Sequence, residues 1–477
     1  MKTKIALILI LIIQVSGFSL PLEFTDNHTE ESILTINLED AINLALDNSI
    51  ELRYALYNQK IAQANLRIGY RQFLPELSVG INQNDSVNYN QPDSHTKQLS
   101  LGIQQLIFDA GRLSAGIENQ RNQIHIDSLN LELSREELVF TVIKLYIDLI
   151  NYRQKKAIQQ ETYNTALIQY EIAKEEFNLG MITELDYFDI DLSMKNLEIE
   201  LEATKQEERL ILFKFARILG YEPESPIPVP TGYINPEYTG FITETNSEYW
   251  LELAREESLE FISRRFQVSA LSDTLQNARF SWLPEISLKF TLTLSGDEYP
   301  LTEPGFSLGV NFNFAIPTFP ITASTTIGKR DPDERSRSYS LGGNVADNLQ
   351  EVYSIRAAKL NLAQAANELI DFETDFRFNI QESLINLDNH QRMLNLLFEK
   401  LEIEEKRVEI QKLKLELGEI QRIDYLKSEI KLSQLKIELL SNLVTLFTQE
   451  VSLLRMSGMP HLIETYSYII TEEEIAL

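Results

Sequence analysis

Cysteine is absent from the 477 residues, which excludes disulfides and a lipid-modified N-terminal cysteine. Histidine is scarce, and His28, His95, His125, His390 and His461 lie scattered without the short ligand spacing of a zinc site. No phosphate-cradling glycine loop, nucleophile elbow or metal pair is present. The expectation is therefore a protein that is not an enzyme and needs no cofactor or metal. Basic residues are in deficit: 43 lysines and arginines against 71 aspartates and glutamates give a formal charge of −28, which argues against nucleic acid as a partner. Long apolar runs are missing too, since no stretch beyond the N-terminus approaches the roughly 18 apolar residues of a membrane helix. A membrane could be entered only as strands.

Met1-Lys2-Thr3-Lys4 is basic, and the apolar run from Ile5 to Val15 is only about ten residues, too short to span a bilayer. Residues 1–19 read as a cleaved signal peptide, with Gly17 or Ser19 the last residue removed. The remaining length predicts one large domain or two similar halves.

Two stretches decide for halves. Leu179-Gly180-Met181-Ile182-Thr183-Glu184-Leu185-Asp186 returns as Leu417-Gly418-Glu419-Ile420-Gln421-Arg422-Ile423-Asp424, roughly 238 positions later. Each follows a long apolar stripe of three- and four-residue steps, so each glycine ends one helix, and Thr183 or Gln421 opens the next. Likewise Phe73-Leu74-Pro75-Glu76-Leu77-Ser78-Val79 returns as Trp282-Leu283-Pro284-Glu285-Ile286-Ser287-Leu288, roughly 209 positions on. Trp282, beside a strand, is a candidate interface anchor.

The first half, 20–220, is expected to hold helices over about 38–72, 113–178 and 183–219 and strands over about 76–84 and 98–108. A proline-rich connector follows at 221–246. The second half, 247–458, is expected to hold helices over about 247–281, 349–417 and 420–456 and strands over about 285–295 and 306–315, before a tail at 459–477. It also carries an insert at about 317–348, whose clustered charges read as a loop, although alternation at Tyr339 and Leu341 permits a strand.

In the strands Leu288, Phe290 and Leu292, then Leu308, Val310 and Phe312, alternate with small polar residues, one face for lipid and one for a lumen. Four strands cannot close a barrel, and open edges are not tolerated in lipid. A homotrimer would supply twelve strands, continued by a barrel of long paired helices.

In these features the chain resembles the TolC-like outer membrane efflux proteins: the duplicated layout, the Phe-Leu-Pro-Glu segment, Leu106-Ile107-Phe108-Asp109-Ala110-Gly111, and both Leu-Gly turns. The resemblance implies a mixed fold of coiled-coil helices and membrane strands, a trimeric channel-tunnel with a 12-stranded barrel and a long periplasmic helical barrel. It also implies a passive duct of a tripartite efflux pump or type I secretion system. Its implied partners are outer membrane lipid, a periplasmic adaptor and, through that, an inner-membrane transporter. By the same resemblance Leu179, Gly180, Thr183, Leu417, Gly418 and Ile420 form adaptor-docking turns, and Asp186 and Asp424 line the periplasmic gate. Ile420, Leu415 and Lys427 stand where the family has a gating arginine, a gating tyrosine and a second aspartate, and Arg422 is placed to replace the arginine. The competing expectation is a periplasmic coiled-coil adaptor or scaffold whose strands make a small soluble sheet.

Overall fold

The computed structural model describes residues 35–87, 89, 94–280, 283–314, 316, 320–331, 334–343, 349–458 and 467–471. The expected signal peptide, Trp282, His28, His461 and most of the 459–477 tail lie outside the described residues.

In chain order the elements are β1 (Thr35–Ile36), α1 (Leu38–Asn48), α2 (Ile50–Arg71), β2 (Glu76–Ser86), β3 (Ser94–Phe108), α3 (Arg112–Asn178), α4 (Glu184–Leu219), β4 (Val229–Pro230) and β5 (Tyr233–Ile234). There follow α5 (Ser247–Glu257), α6 (Leu259–Arg279), β6 (Glu285–Gly296), β7 (Glu303–Phe314), β8 (Ile321–Asp331), β9 (Glu334–Gly343), α7 (Leu349–Glu416), α8 (Arg422–Met456) and β10 (Ile470–Thr471).

At 67 and 68 residues, α3 and α7 are each about 100 Å long at 1.5 Å rise per residue. Each is flanked by shorter helices stacked end to end. Side by side the helices make four ribbons: α2 with α4, then α3, then α6 with α8, then α7. The stacking joints are close contacts. Asn48 Nδ2 donates to the Leu219 carbonyl at 2.8 Å, and a Cβ on Gly220 would stand 2.8 Å from Asn48 Cβ. At the other joint a Cβ on Gly458 would fall 2.5 Å from the Glu257–Ser258 backbone, so neither joint has room for a larger residue.

The core lies where these joints meet the connector. Val142, Ile143, Tyr146, Phe215, Leu219, Leu443 and Phe447 are buried together there. Tyr146 Oη shares its proton between the carbonyls of Thr231 and Ile36 and accepts from the Thr231 amide, pinning the small β1–β4 pair to α3. Glu450 is fully buried and accepts from the Phe241 and Ile242 amides at 2.9 Å and from the Tyr238 hydroxyl. Burial raises the Glu450 carboxyl above its ordinary value, and these three donors oppose that rise while fastening the connector to α8.

One sheet has the order β2-β3-β6-β7-β8-β9, antiparallel throughout. This corrects the expectation of four strands per chain. The 317–348 insert supplies a third hairpin, β8–β9, paired along β7. Its alternation was diluted because the face that continues the apolar side carries Ala323, Thr325, Lys329, Arg335 and Arg337 beside Ile321, Ile327, Tyr339 and Leu341. The helices α2, α3, α6 and α7 all join the sheet at one end, and the β2–β3, β6–β7 and β8–β9 connections lie at the other. Register puts Leu288 opposite Val310, Phe290 opposite Leu308, and Ile286 opposite Phe312, with Leu292 beside Leu101, so the expected lipid-facing residues share one face. Ser287, Thr291, Thr293, Ser307 and Asn311 share the other. Where β3 hands over to α3, Asp109 accepts from the Gly111 and Leu113 amides at 2.9 and 2.6 Å and caps the long helix.

Candidate functional site

The far ends of the helical ribbons, about 100 Å from the sheet, carry the two turns. Both have the same backbone. The Met181 amide reaches the Glu176 carbonyl at 2.8 Å and the Gly180 amide the Phe177 carbonyl at 2.9 Å, while Glu419 reaches Lys414 at 2.8 Å and Gly418 reaches Leu415 at 3.0 Å. This double closure needs a left-handed residue, and Gly180 and Gly418 supply it at φ 71° and 76°. A Cβ on either glycine would meet nothing within 4 Å, so both turns face open space. Leu179, Met181 and Leu417 around them are 70–75% exposed.

The side chains that follow differ. Thr183 is the N-cap of α4: its Oγ1 accepts from the Asp186 amide at 3.2 Å, and Asp186 Oδ2 accepts from the Thr183 hydroxyl at 2.7 Å and its amide at 3.3 Å. That reciprocal box satisfies donors that would otherwise be orphaned at the helix start. Gln421 is the N-cap of α8 and makes no side-chain capping bond, and Asp424, also exposed, has no side-chain hydrogen bond among the described residues.

Arg422 reaches across to α3 instead. Its Nε and Nη2 donate to the two carboxylate oxygens of Glu176 at 2.9 and 2.7 Å, and its Nη1 donates to Gln169 Oε1 at 3.1 Å. The bidentate guanidinium holds the Glu176 carboxyl below its ordinary value. Beneath this pair Ile423 and Leu426 of α8 pack with Ala166, Ala173, Ile190 and Met194 from α3 and α4. A cleft of about 610 Å³ between the turns is lined by Glu176, Gly180, Thr183, Asp186, Gly418, Ile420 and Arg422 among others, bringing together most of the residues singled out from the sequence. Asp424 does not line it.

Glu176 and Gln169 had no signal of their own in the sequence. They lie about 250 positions from Arg422, on a helix where acids recur every few residues. The aromatic cluster under the first turn was equally silent: Tyr187 stacks on Phe177 at 5.1 Å, and its hydroxyl lies 3.0 Å from that of Tyr170.

Residues 41–209 match the family model for outer membrane efflux protein. The outer membrane efflux protein BepC of Brucella suis biovar 1 is 18% identical over 200 residues, which are 42% of this chain and 44% of BepC. The chain thus matches under half the length of that curated relative. The CmeC outer membrane channel of Campylobacter jejuni has the same fold at a TM-score of 0.71 and 14% identity, covering 95% of this chain and 97% of its own. The open-state MtrE outer membrane channel of Neisseria gonorrhoeae follows at 0.67 and 14%, covering 93% and 96%. Residues 41–209 thus match an outer membrane efflux protein domain, and the fold as a whole is that of these outer membrane channels. The two turns lie at the helical tip, at the greatest distance from the sheet.

Proposed function

We propose that the chain is the passive duct of a tripartite efflux pump or type I secretion system, a homotrimer that exports drugs, small molecules or proteins and opens at its periplasmic tips. The observation that carries this reading is that both flanks of the helical array are unpartnered and complementary in pattern. On α4, at one flank, Leu185, Leu192 and Ile199 recur at seven-residue steps and are 59–70% exposed. On α7, at the other, Leu396, Ile403 and Ile410 do the same at 54–67%. A seven-residue apolar period is a coiled-coil seam waiting for a second helix. The α7 flank of one copy meets the α4 flank of the next, and a ring closes.

The sheet supports the same reading, since no helix lies across either of its faces among the described residues, and the apolar face is left bare. A soluble scaffold would hold that face in water, whereas lipid would cover it. At the tips, Arg422 bound to Glu176 is suited to hold the entrance closed, with Asp186 and Asp424 as candidate acids of the gate. The exposed Leu179, Thr183, Leu417 and Ile420 region around Gly180 and Gly418 is suited to grip a periplasmic adaptor and, through it, an inner-membrane transporter.

The decisive measurement is behaviour in detergent and in planar bilayers. A heat-modifiable trimer that conducts ions is expected. A monomer that stays soluble without detergent would sink the proposal.

A further inference from the structure

Resting on the trimeric channel just proposed, we infer that the β8–β9 hairpin is part of the barrel wall, so that the seam between copies joins β9 of one chain to β2 of the next. The occupant of each open edge is a second copy of this chain, and three copies contribute six strands each to a barrel of eighteen.

The two ends of the sheet are the argument. Among the described residues β2 pairs only with β3 and β9 only with β8, so both present a row of unpaired backbone groups, which hydrocarbon does not tolerate. Over the half nearer the helices, Ser338 to Gly343 on β9 and Glu76 to Asn82 on β2, neither edge carries a proline, a charge inside the run or a register break. Arg335, Arg337 and the Lys329/Asp331 shift lie at the far connection. Their outer side chains lack neighbours on one side: Leu77, Val79 and Ile81 are 69–72% exposed and Tyr339 and Leu341 76–80%, against 41–46% for Leu292, Leu294, Phe306 and Leu308 inside the sheet.

Directions and faces also match. β2 runs away from the helical end and β9 runs back to it, so the two meet antiparallel, and eleven residues face ten. Traced through the register, Leu77, Val79 and Ile81 lie on the same face as Leu292, Leu308, Tyr339 and Leu341. The opposite face stays small and polar into the last hairpin, where Thr326 faces Ser338 and the Ser324 and Ser340 hydroxyls bond at 2.7 Å. A hairpin lying outside the wall would have no need of either pattern. Barrel diameter grows roughly linearly with strand number, so eighteen strands open a pore about half as wide again as twelve, in the range where an aqueous channel remains.

The chain has no native cysteine, so cross-links can be read without background. Tyr339→Cys is combined in one full-length chain with Leu77→Cys, Val79→Cys or Ile81→Cys, the three outward positions on β2. Within one chain these edges are five strand spacings apart, roughly 24 Å, so any disulfide must be between copies. Oxidation in outer membrane vesicles is expected to give reducible covalent dimers and trimers for at least one pair, and none for Val310→Cys on β7 combined with Val79→Cys. Heat-modifiable trimers that cross-link through Val310, or through no Tyr339 pair, overturn the eighteen-strand seam while leaving the channel reading intact. Absence of any trimer from the unmutated chain overturns both.

A second readout does not depend on seam register. Single cysteines at Ser338, Tyr339, Ser340 and Leu341 are treated with a membrane-impermeant thiol reagent. Labelling at Ser338 and Ser340 with protection at Tyr339 and Leu341 is expected, and uniform labelling of all four would place the hairpin outside the wall.

Discussion

The two tip turns share one backbone and divide two chemistries. Both end a helix of about 100 Å through a left-handed glycine with the same pair of closing hydrogen bonds. After Gly180, Thr183 and Asp186 satisfy one another, and the cap of the new helix is self-contained. After Gly418, Gln421 and Asp424 make no such box, and Arg422 ties its helix to α3 of the other hairpin. Glycine fixes the bend, and the cap residues decide whether the bend is local or a link between hairpins. The link therefore belongs to the second turn alone, although the sequence presents the turns as copies.

The largest effect should come from what the turns share. Gly180→Val or Gly418→Val places a β-branched side chain at positive φ, where any non-glycine residue costs about 1–2 kcal/mol. The added Cβ meets nothing within 4 Å and the turn faces open space, so the helices are expected to remain packed and trimers to persist. Export is expected to fall sharply in both variants, measured as substrate efflux from cells whose trimer level is unchanged. Efflux at the unmutated level would count against docking at these turns. A loss at one turn only would break the equivalence of the pair.

How much of this was legible follows from where each signal is stored. The turns, long helices and the β6–β7 hairpin were readable because periods of two and of three to four residues are local, as in Leu288, Phe290 and Leu292 against Ser287, Lys289 and Thr291. The Thr183–Asp186 box is likewise a three-residue relation. The β8–β9 hairpin hid because Lys329, Arg335 and Arg337 occupy its outward face towards the far connection, and a cluster of charges looks like a solvated loop. Arg422 could be suspected from its position, but its partner could not: Glu176 is 246 positions away and surrounded by equivalent acids. A pairing between helices is set by packing, and a single sequence does not store it in one place.

The next effect separates the turns. Arg422→Ala leaves Glu176 and Gln169 without this donor and removes the polar link that joins the second turn to α3. A partly exposed bidentate pair at the molecular surface contributes up to about 1 kcal/mol, so the trimer should survive while the closed tip becomes less favoured. Single-channel recordings are expected to show more frequent or larger openings, with Glu176→Gln behaving alike and Glu184→Ala, the residue matching Arg422 in the first turn, leaving the record unchanged. The pair also has a pH signature. Glu176 titrates below its ordinary 4.5 in the folded protein, so its contribution is complete above that value and is lost as pH falls through the lower folded value. Openings should rise in acid below about 4.5 in the unmutated channel, and this dependence should be reduced in Glu176→Gln. A record in which Glu184→Ala opens the channel as readily as Arg422→Ala would remove the asymmetry.

The smallest effects test whether the capping difference is real. Thr183→Ala deletes one half of the box and should destabilise the first hairpin by about 1 kcal/mol, whereas Gln421→Ala, at a cap with no side-chain bond, should be close to neutral. The sharper variant runs the other way. Gln421→Thr places a hydroxyl three residues before Asp424, the spacing that Thr183 and Asp186 use, and the backbone at 421 already has the extended cap geometry, φ −77° and ψ 153° against −77° and 159° at Thr183. A gain of about 0.5–1 kcal/mol in thermal or denaturant unfolding is expected, because the exposed Asp424 carboxylate becomes a capping group. The same substitution should lower any attraction of Asp424 for cations, since its charge is now shared with two donors. In planar bilayers Asp424→Asn in the unmutated background should therefore change cation block more than Asp186→Asn, and in the Gln421→Thr background the two should converge. Equal cation block from both aspartates at the outset would mean that the box at the first turn does not occupy the Asp186 carboxylate, and the two turns would be alike in chemistry as well as in backbone.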